Sequence, residues 1–200
     1  MKREKILMVV AAVLFLASLP FPYWSARMDA PTYPERDLML QMYTYKYDGD
    51  IYEWNLAGRL VGVKVPPPIP DVFFPLFTAA VAGMGLLALA CAAKERLLKA
   101  ASLAPWAIMA AVGAWGQYSL YVYGHSLDPD RPLRYLQPFT PPLVGVTTLG
   151  KIYTYHYPDI GSALFIAAGS LLVFSACRLG YLSIPLPRFG KKTVTEGAKA

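Results

Sequence analysis

Four long apolar runs without a charged side chain constrain this chain more than any other feature of its sequence. They cover residues 6–22, 72–93, 101–122 and 160–176. A helix that crosses a membrane needs about 20 mostly apolar residues, and the first and last runs lie near the lower end of the usual range. The runs predict an all-α membrane bundle of four transmembrane helices. The first run is predicted to be retained as an anchor, because Trp24 is a poor residue at a signal-peptide cleavage site.

Two long polar segments separate the runs. In the first, residues 27–36 are predicted to be extended and residues 38–47 to form a strand. A turn at 48–50, a returning hairpin arm at 51–54 and a short helix at 56–61 that stops at Gly62 are predicted to follow. In the second segment, residues 151–157 alternate as Lys-Ile-Tyr-Thr-Tyr-His-Tyr, which predicts a strand that could join the same sheet. The bundle is therefore expected to carry a small extracytoplasmic β-rich domain formed by the two outer loops.

These features predict the following division of the chain. Residues 1–22 form a first transmembrane anchor, 23–71 an extracytoplasmic β-rich segment, 72–122 a transmembrane hairpin, 123–159 a second extracytoplasmic loop, 160–178 the fourth transmembrane helix, and 179–200 a cytoplasmic basic tail.

The distribution of charge predicts the orientation. Residues 1–5, 94–99 and 177–200 together carry eleven lysines and arginines against three acids, whereas the two polar segments carry eight against ten. Lysine and arginine accumulate on the cytoplasmic side of membrane proteins. Both termini and the loop at 94–99 are therefore expected in the cytoplasm, and the long polar segments outside it. The net charge of +6 is explained by this asymmetry and does not indicate a nucleic-acid partner.

The chemistry that the sequence lacks restricts its function. None of the four runs contains an ionisable acid, base or histidine. Pumps and ion carriers usually place such residues inside the membrane, and haem held between two helices would need histidines there. No catalytic triad, phosphate-binding loop or metalloprotease motif is present. Cys91 and Cys177 are interpreted as small packing residues. The sequence thus predicts a non-catalytic protein without a cofactor of its own.

Aromatic and proline residues in the polar segments suggest a surface for a protein partner. Tyrosines line the predicted strands, and a rigid apolar ledge surrounds Phe139, which loses little entropy on binding. The residues predicted to dock a partner are Tyr43, Tyr45, Trp54, His125, Asp128, Phe139, Pro141, Pro142 and Tyr155.

Two other functions stay open at this stage. A quinol-interacting or electron-transfer subunit would use Trp115, Gln117 and Tyr118, with His125 near the same interface. A copper-delivery protein would use imidazole and thioether ligands, which suit Cu(I). The weak candidates are His125, His156, Met28, Met39 and Met42. The simpler interpretation is that the methionines pack beneath the sheet and that His125 bonds Asp128.

Several segments in order resemble one family. They are Tyr-Asp-Gly-Asp-Ile-Tyr-Glu-Trp-Asn-Leu at 47–56, Tyr-Gly-His-Ser-Leu-Asp-Pro at 123–129, Pro-Phe-Thr-Pro-Pro-Leu-Val-Gly at 138–145 and Tyr-Pro-Asp-Ile-Gly at 157–161. This set resembles a four-span membrane protein family found in gene clusters for the atypical (clade II) nitrous oxide reductase. Where that family has Asn-His-Tyr-Ile-Gly, this chain has Gly-Arg-Leu-Val-Gly at 58–62. The family's histidine is therefore absent here.

The resemblance implies a function for the predicted docking surface. It implies a membrane accessory or anchoring subunit, or an assembly factor, for a copper enzyme that works on the outer face of the membrane. The expected partner is nitrous oxide reductase.

Overall fold

The computed structural model describes residues 2–182 except 32, 34, 64, 66, 68, 133 and 135. The predicted basic tail from residue 183 onward lies outside the described residues. The described part contains five α-helices: α1 Lys2–Ser18, α2 Ile51–Val61, α3 Phe73–Ala93, α4 Leu98–His125 and α5 Ile160–Arg178. It also contains five strands: β1 Trp24–Asp29, β2 Leu38–Met42, β3 Tyr47–Gly49, β4 Gly145–Leu149 and β5 Ile152–Pro158.

The prediction of an all-α bundle of four transmembrane helices is wrong. The structure combines its helices with a five-stranded antiparallel sheet, and three helical segments of the described chain are long and apolar enough to cross a membrane. These are Phe73–Ala93, Glu95–His125 and Ile160–Arg178. The first predicted span fails because its helix begins among the charged residues 2–5 and ends at Ser18. Pro20 and Pro22 follow closely, and proline cannot continue a helix.

Helix α1 packs against both α3 and α5. Phe15 and Phe165 meet edge to face, with ring centroids 4.9 Å apart, and both are fully buried. Small residues permit the close approach of the backbones, as at Gly85, where a Cβ atom would lie 2.8 Å from the Leu16 side chain. Close packing of small residues is the usual way in which helices associate in membranes.

The five strands form one sheet in the order β3-β2-β1-β5-β4, and every neighbouring pair is antiparallel. Strands β1 to β3 come from the first polar segment, and β4 and β5 come from the second. The central pairing joins β1 to β5, with Arg27 opposite Tyr155. The prediction that residues 151–157 join a sheet with the first segment is therefore confirmed.

Other predicted elements of the first segment need correction. Residues 24–29 form the central strand β1, where the sequence indicated only extended chain from residue 27. The predicted strand at 38–47 is instead two strands, β2 and β3, joined by a turn in which Tyr43 N donates to Lys46 O at 2.8 Å. The predicted hairpin arm at 51–54 is the first turn of α2. Gly62 ends this helix with a φ of 85°, as expected for a left-handed helix cap.

The two faces of the sheet differ. The inner face carries Trp24, Ala26, Met28, Leu38 and Leu40, all buried, and it packs against Trp54 and Ala57 of α2 and Leu120 of α4. Because side chains alternate along a strand, the residues between them point to the opposite face. We call that opposite face the open face and define it by Arg27, Asp29, Met39, Val146, Thr148, Tyr153 and Tyr155.

We predict that Gly124→Ala destabilises the protein, since this glycine permits the contact between α4 and the loop that precedes β4. A Cβ at Gly124 would lie 1.9 Å from Phe139 O, and the backbone would have to shift. The expected loss of unfolding free energy is about 2–3 kcal/mol, in the range of overpacked cores. Thermal unfolding in mild detergent measures it.

The matched control is Gly83→Ala in α3, where a Cβ would meet nothing within 4 Å. This change should leave stability unaltered or raise it by up to about 1 kcal/mol, because alanine favours helix over glycine. Equal effects of the two substitutions would contradict the packing role of Gly124.

Candidate functional site

The open face presents aromatic and aliphatic side chains in cross-strand rows. One row runs from Met39 through Arg27 and Tyr155 to Val146 across four strands. Tyr153 is 43% exposed, Tyr155 41% and Val146 52%, although all three belong to regular strands. Tyrosine held on a rigid backbone supplies a large contact area with few rotatable bonds, which is typical of protein interfaces. The open face is therefore the candidate docking site.

Charges on this face are few and largely paired. Arg27 forms an ion pair with Asp37, and Lys46 in the β2–β3 turn pairs with Asp48. Both pairs are partly exposed, so they contribute little to stability. Asp29 of β1 adds an exposed carboxylate opposite Tyr153, so the tyrosines of β5 lie beside charged residues of the central strand.

The structure separates the residues predicted to dock a partner. Tyr155 lies on the open face, and Tyr45 is half exposed in the β2–β3 turn beside a less exposed Tyr43. Trp54 is buried beneath the sheet and Pro141 is also fully buried. These two residues stabilise the fold and are not part of the accessible surface.

The predicted ledge around Phe139 packs against the chain's own helix α4. The Phe139 ring meets Tyr123 edge to face at 6.3 Å, and Phe139 N donates to Gly124 O at 3.1 Å. Pro142 is partly buried beside Gly145. The ledge is thus mainly an internal contact with α4.

His125 and Asp128 lie near the end of α4 but do not bond each other. The His125 ring stacks on Tyr121 at 4.0 Å, and its Nδ1 lies 2.9 Å from Tyr121 O. Asp128 N donates to Gly62 O at 2.8 Å, so this turn joins α4 to the end of α2. The expected His125–Asp128 hydrogen bond is therefore wrong, and Asp128 has a structural role instead.

The candidate copper ligands do not converge. His156 and Met28 lie on the inner face of adjacent strands, whereas Met39 is on the open face and His125 is on α4. Met42 packs beneath the sheet toward the helices. Within the part of the chain that the structure describes, no three histidine, cysteine or acidic side chains come together as a metal-binding group.

His156 is instead a buried neutral residue. It is 6% exposed, stacks on Trp24 at 5.5 Å, and its Nε2 lies 3.2 Å from Thr147 Oγ1. Burial lowers the pKa of His156 to about 4. Its Nδ1 and the Trp54 indole nitrogen border a cavity of about 30 Å³ and have no hydrogen-bond partner among the described residues.

The residues proposed for quinone binding also lie in different environments. Trp115 borders a large apolar cavity beneath the sheet, whereas Tyr118 is 58% exposed on α4. The Gln117 side chain is fully used within the fold. Its Nε2 donates to Pro141 O at 3.0 Å, and its Oε1 accepts from Leu143 N at 2.9 Å. Gln117 therefore fixes the loop before β4, and a loss of activity on its substitution would not demonstrate quinone binding.

Sequence reasoning missed Tyr153, Val146 and Arg27 of the open face. A signal for Tyr153 was present, because it alternates with buried residues of β5 in the same way as Tyr155, which was predicted. Arg27 and Val146 carry no comparable signal, since their strands were not predicted.

Comparison with known proteins adds no family assignment. No protein-family model matches this chain, and no curated protein sequence matches it significantly.

We predict that acidification destabilises the protein through His156. The pKa of this histidine is lower in the folded chain than its unfolded value of 6.5, so the unfolded chain binds more protons between pH 6.5 and 4. Stability therefore falls as the pH decreases through this window, by about 2 kcal/mol between pH 7 and pH 5. Chemical unfolding at several pH values measures this slope.

His156→Gln should reduce the pH dependence by that amount, whereas His125→Gln at the exposed histidine should retain it. Carboxylates titrate alike in all three proteins, so the difference between the variants isolates the histidine. A slope that changes equally in both variants would contradict the assignment.

We predict that Gln117→Ala releases the loop at residues 138–144. The substitution removes two hydrogen bonds, each worth about 1 kcal/mol net. Limited proteolysis with chymotrypsin should cleave the loop several times faster in this variant. Gln137→Ala is the control, because Gln137 is exposed and makes no side-chain hydrogen bond to the described residues. Unchanged cleavage in Gln117→Ala would show that the loop is held by other contacts.

Proposed function

We propose that this protein is a non-catalytic membrane accessory or anchoring subunit that docks an extracytoplasmic redox enzyme on its open face. The observation that carries the proposal is the uncovered face of a sheet whose strand β5 continues directly into the apolar helix α5. The apolar part of this face is formed by Tyr153 and Tyr155 of β5, which are exposed although β5 is paired on both sides, and by the exposed Val146 of the edge strand β4. A stiff apolar surface of this kind loses little conformational entropy when a partner binds.

The same proposal includes an orientation. The sheet contacts the beginning of α3, where the rings of Tyr47 and Phe74 meet at 5.5 Å. Lys94 follows the last residue of α3, about 30 Å farther along the helix at 1.5 Å per residue. Lys94, Arg96 and Lys99 therefore lie at the opposite end of the helices. Following the positive-inside rule, we place this end and the C-terminal end of α5 in the cytoplasm and the sheet outside it.

A docking role agrees with the state of the ionisable groups. His156 is buried and neutral, and His125 is engaged with Tyr121. Asp50 and Asp159 accept hydrogen bonds from the backbone nitrogens of Met39 and Ile160, so their carboxylates support local structure. These two acids and two histidines thus have structural partners.

The resemblance supports nitrous oxide reductase as the partner. The four resembling segments are the only support for this identity, and they lead us to propose a copper-containing reductase rather than another extracytoplasmic redox protein. In this proposal the copper belongs to the partner, since the candidate ligands of this chain are distributed over separate surfaces.

We predict that Tyr155→Asp abolishes partner retention. The substitution removes an aromatic ring from the open face and puts a carboxylate opposite Arg27, and docking must then desolvate this pair of charges, which is unfavourable. The tagged chain is purified from native membranes in mild detergent, and co-purifying proteins are identified by mass spectrometry. Nitrous oxide reductase should co-purify with the unaltered chain and fall at least tenfold with the variant.

The matched control is Tyr52→Asp. Tyr52 is 78% exposed on α2 and does not belong to the sheet. The control protein should retain its partner. Loss of the partner from Tyr52→Asp with retention by Tyr155→Asp would move the docking site away from the open face, and purification of the unaltered chain alone would refute the proposal.

A further inference from the structure

A large apolar cavity lies where the sheet meets the helices. Its volume is about 290 Å³, near the lower end of the range for small-molecule sites, roughly 300–1,000 Å³. Phe77 of α3, Gly113 and Gly116 of α4, and Ile166 of α5 contribute to its wall. The two glycines leave space that larger side chains on α4 would fill. The rim includes exposed Trp115 and Val144, so the cavity opens to the surroundings.

Three side chains that line the cavity have hydrogen-bond donors without a partner among the described residues. Tyr47 on β3 and Ser119 on α4 both line it, and neither hydroxyl bonds another described residue. Trp115 adds an indole N–H, which can only donate. Burial raises the pKa of Tyr47 above its usual value, so its hydroxyl stays protonated. A ligand that matches these groups carries acceptor oxygens beside an apolar chain.

Among the residues that the structure describes, none with a group for proton transfer lines the cavity. Its described lining has no acidic, basic or histidine side chain. A quinol must release protons when it is oxidised, and the usual acceptors are carboxylates or histidines. A phosphate would likewise find no cation among these residues. The occupant that fits is therefore neutral within the cavity and chemically passive.

The position of the cavity along the helices indicates where its ligand comes from. It lies at the sheet end of α3, α4 and α5, close to where Trp115 and Tyr118 pack together at 6.0 Å. Tryptophan and tyrosine concentrate at the boundary between hydrocarbon and polar headgroups. At this boundary a glycerolipid places the oxygens that join its chains to glycerol.

We propose that this cavity binds one glycerolipid of the outer leaflet. An apolar chain occupies the space beside Gly113 and Gly116, and the ester or ether oxygens accept hydrogen bonds from Tyr47 and Ser119. The headgroup stays outside the cavity. This site is separate from the open face, so its occupancy does not depend on docking, whereas the choice of the outer leaflet rests on the orientation in the proposed function.

Native mass spectrometry of the detergent-purified full chain tests the site. The protein is delipidated and titrated with dioleoylphosphatidylglycerol, and in a parallel experiment with decylubiquinone. One lipid should bind the unaltered chain saturably. Gly113→Phe fills the cavity, where a Cβ would already lie 3.7 Å from Leu143, and should weaken binding at least tenfold.

Gly83→Phe is the matched control, because a Cβ at Gly83 in α3 meets nothing within 4 Å. It should bind lipid as the unaltered chain does. A double variant, Tyr47→Phe with Ser119→Ala, preserves the cavity shape and removes only the hydroxyls. It should bind roughly tenfold more weakly, as expected for two lost hydrogen bonds. This variant decides the question if Gly113→Phe does not fold.

Two results would overturn the proposal. Equal lipid binding by the unaltered chain and both cavity variants would show that the lipid binds elsewhere on the surface. Saturable decylubiquinone binding that excludes the lipid and is lost in Gly113→Phe would assign the cavity to a quinone instead.

Discussion

The antiparallel pairing of β1 with β5 is the interaction on which the rest of the structure depends. It joins strands that are more than a hundred residues apart in the sequence, and each strand continues almost directly into a helix: α1 leads into β1, and β5 leads into α5. At the junction, Gly161 N donates to Pro22 O at 2.8 Å and Ser162 Oγ donates to Tyr23 O at 2.6 Å. The antiparallel strands β1 and β5 thus continue into an antiparallel pair of helices, α1 and α5. Without this pairing the sheet would divide into two parts, and the cavity beneath it would lack part of its wall.

Much of the helical framework could be predicted because uninterrupted apolar runs are a strong local signal. The runs at 72–93, 101–122 and 160–176 correspond to α3, α4 and α5 within a few residues. The first run gave a wrong prediction of a membrane span, because apolar residues continue to Pro22, whereas the helix ends at Ser18. The strand β1 could not be found locally, since Trp-Ser-Ala-Arg-Met-Asp has little strand preference and becomes a strand through its two neighbours.

The site was less predictable for a related reason. Whether a residue of a strand faces the core or the solvent depends on strand register, and one step of register exchanges the two faces. Trp54 and Tyr155 were therefore equally plausible surface residues, yet Trp54 is buried on α2 and Tyr155 is exposed on β5. The segments that carry the family resemblance coincide with internal junctions such as Gly124–Phe139 and Gly62–Asp128. Contacts within the fold explain the residues of these segments, and few of these residues lie on the open face.

The short connections between strands and helices have a mechanical consequence. A single residue, Asp159, separates β5 from α5, and its backbone N–H donates to Tyr23 O while its carboxylate bonds Ser25. No tether of variable length lies between the sheet and the helices at this point. A protein held on the open face would turn and tilt together with α1 and α5 as one body. Its height above the bilayer and the side it turns toward the lipid would be the same in every copy, and its search for a membrane-bound reaction partner would be confined to two dimensions.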